Sequence, residues 1–148
     1  MSAPSTIDDE TLEFVNNIQL VEIDVLKMSI DLDIEADEYT PSTDEIEPEF
    51  GIAIDSHDEL QRARFRVRVD ISFPRTAQLT VEMGAVYDLG TTSLDDLDPD
   101  VITNFFNKIV MMTVYPYIRA EVSYLTSRTF GNPLTLPILK HGDVVFGE

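Results

Sequence analysis

The sequence predicts an α+β fold, a four-stranded antiparallel sheet packed on a long C-terminal helix, and three observations lead to it. Between residues 62 and 73, Ala63, Phe65, Val67, Val69, Ile71 and Phe73 alternate with Arg62, Arg64, Arg66 and Arg68. Successive side chains of a strand point to opposite faces, so this is a ribbon with one core face and one basic face. After a turn at Pro74, Leu79, Val81, Met83, Ala85 and Tyr87 repeat the period on a neighbouring strand. The period then changes. Asp98 followed by Pro99 offers an N-cap with proline at the first helical position, and from Val101 to Arg128 apolar residues recur on more than one side of a helix.

The other elements follow in order. Met1 to Thr11 is polar and acidic, with neither a basic n-region nor an apolar h-region, so nothing marks it for secretion and a cytoplasmic protein is expected. Residues 1–14 are expected to be disordered, within a single domain that spans residues 1–148. From Leu20 to Leu32 apolar residues alternate, but the phase flips between Val25 and Leu26, which predicts a bulge or bend. Asp33 to Glu49, with Pro41, Pro48 and many carboxylates, reads as a surface loop, and Phe50 to Asp55 as a short second strand. Ser93 with Asp96 offers a capping box ahead of the alternative cap at Asp98. Pro116 should kink the helix by removing a backbone hydrogen bond. The tail from Phe130 to Glu148, with Gly131, Pro133 and Pro137, reads as an apolar loop.

Charge and composition exclude several classes. With 28 Asp and Glu against 10 Lys and Arg, the formal charge is -18, which repels phosphate backbones and anionic lipid; neither nucleic acid nor a membrane is an expected partner. Apolar runs are broken by Pro116, Pro133 and Pro137, so none can span a bilayer. There is no cysteine, hence no disulfide, thiolate metal site or thiol nucleophile. His57 and His141 lie in turn-like contexts without spaced ligand partners, and six glycines form no phosphate-binding loop. No catalytic residue, metal or cofactor is expected. The basic row on the third strand is explained by cross-strand pairing with carboxylates such as Glu22, Asp24 or Glu82. Two other classes stay open: a small α+β enzyme with a buried carboxylate, and a structural protein whose apolar helix serves self-assembly.

Several motifs carry a family resemblance. Val114-Tyr115-Pro116-Tyr117-Ile118-Arg119, Ser127-Arg128-Thr129-Phe130 and Leu134-Thr135-Leu136-Pro137 resemble, in order, the aromatic-Pro-Tyr-x-Arg helix, the Ser-Arg-(Gly)-Thr-Phe turn and the Leu-x-Leu-x-Pro segment of the SecB family of chaperones. Gly84-Ala85-Val86-Tyr87 resembles that family's Gly-x-Ile-Phe segment. The resemblance implies an ATP-independent molecular chaperone, not an enzyme, that binds unfolded or disordered polypeptides in apolar grooves. It also implies a homotetramer assembled as a dimer of dimers. The implied partners are preproteins and the SecA translocase motor in protein export, or an antitoxin in a toxin-antitoxin system.

Under that resemblance the client groove is expected to draw on Leu26, Met28 and Ile30 of the first strand, Tyr87 of the fourth, Met111, Met112, Tyr115 and Tyr124 of the helix, and Phe130, Leu134 and Leu136 beyond it. Methionine and aromatic side chains suit such a surface because they repack around varied partners. Phe105, Phe106, Tyr117 and Arg119 are expected at the oligomer interface. Two departures separate the chain from export SecB. Val25, Ser29, Gln78 and Thr80 stand where that protein carries its SecA contacts, and only His141 to Phe146 stands where a second helix should run. Both fit a specialised SecB-like chaperone, such as those encoded with toxin-antitoxin pairs, while the sequence leaves antitoxin control and preprotein export evenly matched.

Overall fold

Strand pairing organises the chain, whose computed structural model describes residues 9–33, 48–57 and 59–136. A short helix α1 (Asp9–Asn16) precedes β1 (Gln19–Leu32), β2 (Glu49–His57), β3 (Arg62–Phe73) and β4 (Ala77–Asp88). A 3-10 turn at Leu94–Asp96 leads to α2 (Pro99–Phe105), a π-helical turn (Phe106–Val110) and α3 (Met111–Phe130). The four strands form one antiparallel sheet in the order β1-β4-β3-β2, so the two most regularly alternating strands lie in the middle.

Register sets the faces. Phe65 stands opposite Ala85 of β4 and Ile54 of β2, and Val67 opposite Met83 and Ile52, so these residues share the inner face. That face of β3 and β4 is buried against the helical layer, and Phe65 makes edge-to-face contacts with Tyr87, Phe105 and Phe106 at centroid distances of 5.6, 5.1 and 5.3 Å. β1 carries the expected irregularity at Leu26, where the register shifts between Val25 and Lys27, and a second between Leu20 and Glu22. β2 is longer than the expected Phe50 to Asp55 because pairing with β3 is continuous from Glu49 to His57.

Two expectations are corrected. The N-terminal segment is not disordered through residue 14: Asp9–Asn16 is helical, since Phe14 buries its ring against Phe105 at 5.0 Å. Ser93 makes no side-chain cap; Asp98 does, its carboxylate accepting the Asp100 backbone N–H at 2.9 Å ahead of Pro99. The helix runs through Pro116 from Met111 to Phe130, and the departure from α spacing lies upstream, at Phe106–Val110. That wider turn lets the adjacent pairs Phe105 and Phe106, then Val110 and Met111, all face the core, which α spacing would not permit. α3 ends at Gly131, whose positive φ of 83° and N–H bond to Ser127 O at 3.0 Å form a left-handed cap.

The outer face of the sheet is a charge lattice. Arg64 pairs with Asp24 of β1 at 3.0 Å, Arg66 with Asp55 of β2 at 2.7 Å and with Glu82 of β4 at 3.6 Å, and Arg68 with Asp70 at 2.9 Å. The cross-strand pairing expected for the basic row is thus present for Asp24 and Glu82. Asp70 also accepts the Thr80 hydroxyl at 2.6 Å. The hydrogen bonds from Arg68 and Thr80, with the charges of Arg68 and Lys27, hold the Asp70 carboxyl below its usual range despite partial desolvation. Gly84 is needed here, because a Cβ would stand 2.9 Å from Cγ and Cδ of Arg64 and 3.2 Å from Cδ1 of Leu26.

Two predictions follow from this packing. Phe65→Ala should destabilise the subunit by about 3–5 kcal/mol in urea unfolding, the usual cost of emptying a closed aromatic site; a loss below about 1 kcal/mol would remove Phe65 from the sheet–helix contact. For Asp70, a folded pKa depressed below the unfolded one adds stability above the unfolded value, and that stability is lost as pH falls through the folded value. Asp70→Asn should therefore be less stable than wild type at neutral pH, with the gap closing as both are titrated below about pH 4. A gap that persists unchanged at pH 2 would contradict this pairing.

Candidate functional site

An α-helix with its side chains is about 10 Å across and strands lie about 4.8 Å apart, so one helical layer covers roughly two strands of four. Here α3 lies over the middle of the sheet, and the inner faces of both edge strands are left partly open. On β2, Phe50 meets Tyr115 of α3 at 6.1 Å, but Ile52 and Ile54, next on the same face, are 38% and 37% exposed. On β1, Val25 opposite Met83 is 48% exposed, with Leu20 and Leu32 of the same face also in solvent. Each patch is aliphatic and continuous with the core, and these flanks are the candidate binding surface.

The residues expected to line a groove divide sharply. Tyr87, Met111, Tyr115 and Leu136 are at most 4% exposed, so their surface is taken up inside the subunit. Burial also pushes the Tyr87 phenol above its usual range, opposed by a hydrogen bond with Thr113. Met28 and Ile30 are half-buried on β1, and Ile30 packs against the core. Leu26 is exposed but lies on the outer face, over Gly84, because the bulge turns it there. Met112 is half-buried, Tyr124 stands in solvent beneath Arg128 at 5.5 Å, and Phe130 lies against Phe73 at 5.4 Å. Leu134 and Leu136 run back along α3, with Leu134 N–H donating to Thr126 Oγ1 at 2.7 Å and Arg119 Nε donating to Leu136 O at 2.8 Å.

The four residues expected at an oligomer contact also split. Phe105 and Phe106 are core residues of the subunit, and Arg119 is engaged with the Leu136 carbonyl. Tyr117 is 51% exposed and shares the outward side of α3 with Tyr124, seven residues on. Ile52, Ile54, Leu20, Val25 and Leu32 are the residues absent from the expected set. Their alternation was visible in the sequence, but whether a strand is central or at an edge depends on pairing.

Histidine and carboxylate chemistry is sparse. His57 is exposed at the end of β2, and His141 lies outside the described residues. Among the described residues no group of three or more His, Asp or Glu side chains is arranged to hold a metal ion, and no helix is long and apolar enough to cross a membrane.

No family model matches the sequence, and no curated protein matches it either. Among solved structures the chain is similar to the Mycobacterium tuberculosis Rv1957 SecB-like chaperone, solved in complex with a ChAD peptide from the Rv1956 HigA1 antitoxin. The two are 22% identical, with a TM-score of 0.68, over 90% of this chain and 100% of that chain. A protein of unknown function from Streptococcus agalactiae matches more loosely, at 12% identity and a TM-score of 0.42, over 82% of this chain and 97% of that one. Element order, sheet and long helix agree with the first of these, and the chain carries the fold of the SecB-like chaperones.

Proposed function

We propose that the protein is an ATP-independent chaperone that holds unfolded or disordered polypeptide against the uncovered inner faces of its edge strands. The single observation that carries this reading is the pair of aliphatic flanks, with Ile52 and Ile54 on β2 and Leu20, Val25 and Leu32 on β1, all exposed next to a closed core. Such strips suit an extended chain with scattered apolar side chains better than a compact small molecule. The charge of -18 adds a second element: acidic surroundings keep an oily surface soluble and steer basic segments toward it. An enzymatic reading has less support, since a general acid needs a raised pKa and the Asp70 carboxyl is held down by Arg68.

A dedicated client, a disordered antitoxin segment in the cytoplasm, is favoured over preproteins bound for export. The similar mycobacterial chaperone was solved with an antitoxin peptide, and the SecA-contact positions hold Val25, Ser29, Gln78 and Thr80 here. Assembly as a dimer of dimers belongs to the same reading, supported by the exposure of Tyr117 and Tyr124 on the outward side of α3.

Stoichiometric protein without ATP should suppress light scattering from an unrelated unfolded client. Ile54→Asp should keep the fold, because the site is open to water, yet weaken client binding by about ten- to a hundredfold, the worth of one buried aliphatic side chain. Full protection by a folded Ile54→Asp variant would refute the placement of the binding surface. Tyr117→Asp, which inside a core would unfold the subunit, should here leave the circular dichroism unchanged and lower the mass measured by light scattering. An intact oligomer would remove Tyr117 from the contact.

A further inference from the structure

At one end of the sheet, where the β2–β3 hairpin meets the connection from β4 to α2, lies a polar recess of about 190 Å³. Arg62 and His57, opposite each other across the β2–β3 pairing, line it with Ser56, as do Thr91, Thr92 and Ser93 and the apolar Leu89 and Leu94. Arg62 breaks the pattern of its row. Arg64, Arg66 and Arg68 each have an acid within 3.6 Å, but among the described residues Arg62 has no ion pair or hydrogen-bonded carboxylate. Its neighbour across to β4, Asp88, turns an oxygen to the Gly90 N–H at 2.8 Å instead. Ser93 makes no side-chain cap to the turn that follows it.

We infer that this recess is a binding site for a phosphoryl oxyanion, held by the Arg62 guanidinium and the hydroxyls of Thr91, Thr92 and Ser93. A guanidinium donates in a planar fork, and a phosphoryl group, with three terminal oxygens and the higher charge, can accept that fork and several hydroxyls together with one oxygen more than a carboxylate offers. The volume suits such a group with a few waters, each needing about 30 Å³. Asp95 also lines the recess and the whole chain is strongly negative, so affinity rests on short-range bonds and is modest. The inference is independent of polypeptide holding, and it concerns a surface separate from the apolar flanks. Two sources share this chemistry: free inorganic phosphate and a phosphorylated side chain on a polypeptide.

The test follows backbone amide resonances of residues 91–93 in the full chain, at fixed ionic strength, during titration with inorganic phosphate, a phosphoserine peptide and acetate. Phosphate should give saturable shifts, weakened about tenfold or more by Arg62→Gln, the scale of losing a charge-assisted bond. Arg75→Gln, at the distant β3–β4 turn, should leave them unchanged. Tighter binding of the phosphoserine peptide than of phosphate supports the site with a polypeptide-borne ligand, and equal binding supports it with the free ion. Absence of saturable shifts with both phosphates, undiminished binding to Arg62→Gln, or acetate binding as well as phosphate would each overturn the assignment.

Discussion

Width is the constraint on which this molecule depends. Four paired strands form a surface broader than a single helical layer, and α2 and α3 close only its middle. Where they close it, packing is complete: Phe65, Phe105 and Phe106 interlock edge to face, and the inner positions of β3 and β4 are shut off from water. Where they do not, the same alternation that built the core continues outward into solvent as Ile52, Ile54 and Val25. Stability and exposed oil therefore come from one pattern, read at the centre and at the margins of the sheet. The binding surface proposed for this protein needs no separate module, because the incomplete cover already leaves open apolar strips.

Much of the fold could be read from the chain because its strongest signals are local. Residues 62–73 alternate without error, Asp98-Pro99 marks a helix start, and the phase flip at Val25 and Leu26 is matched by a register shift. What was misread depends on distance. Phe14 looked like part of an acidic tail, since only contact with Phe105, some ninety positions on, gives its helix a reason to form. The candidate surface was legible only in part. The oily surplus was assigned to the helix, yet Tyr87, Met111 and Tyr115 are spent on the core and much of the open hydrocarbon lies on β1 and β2. Sequence reveals that Ile52 and Ile54 alternate; it does not reveal that β2 is an outermost strand.

The two faces of the sheet answer different electrostatic problems. On the outer face, arginines sit among carboxylates from the other three strands, so a row that looks cationic in the sequence is largely neutralised in the fold. Exposed pairs of this kind add little stability individually, but Arg64–Asp24, Arg66–Asp55 and Arg66–Glu82 tie β3 to each of the other strands in the observed register. Net negative charge then remains around the molecule as a whole, where it serves solubility.

The wide turn at Phe106–Val110 has a consequence for how this chain can vary. It carries one residue more than α spacing requires, and the wide turn takes up that residue between two stretches of regular α spacing, α2 and α3. Removing one residue there would return the stretch to α spacing and leave α3 in phase with the sheet, whereas removing one from the regular part of α3 would rotate everything after it by about 100°. The wide turn is therefore a slip joint for the C-terminal half, the place along the helix where a change of one residue in length disturbs least.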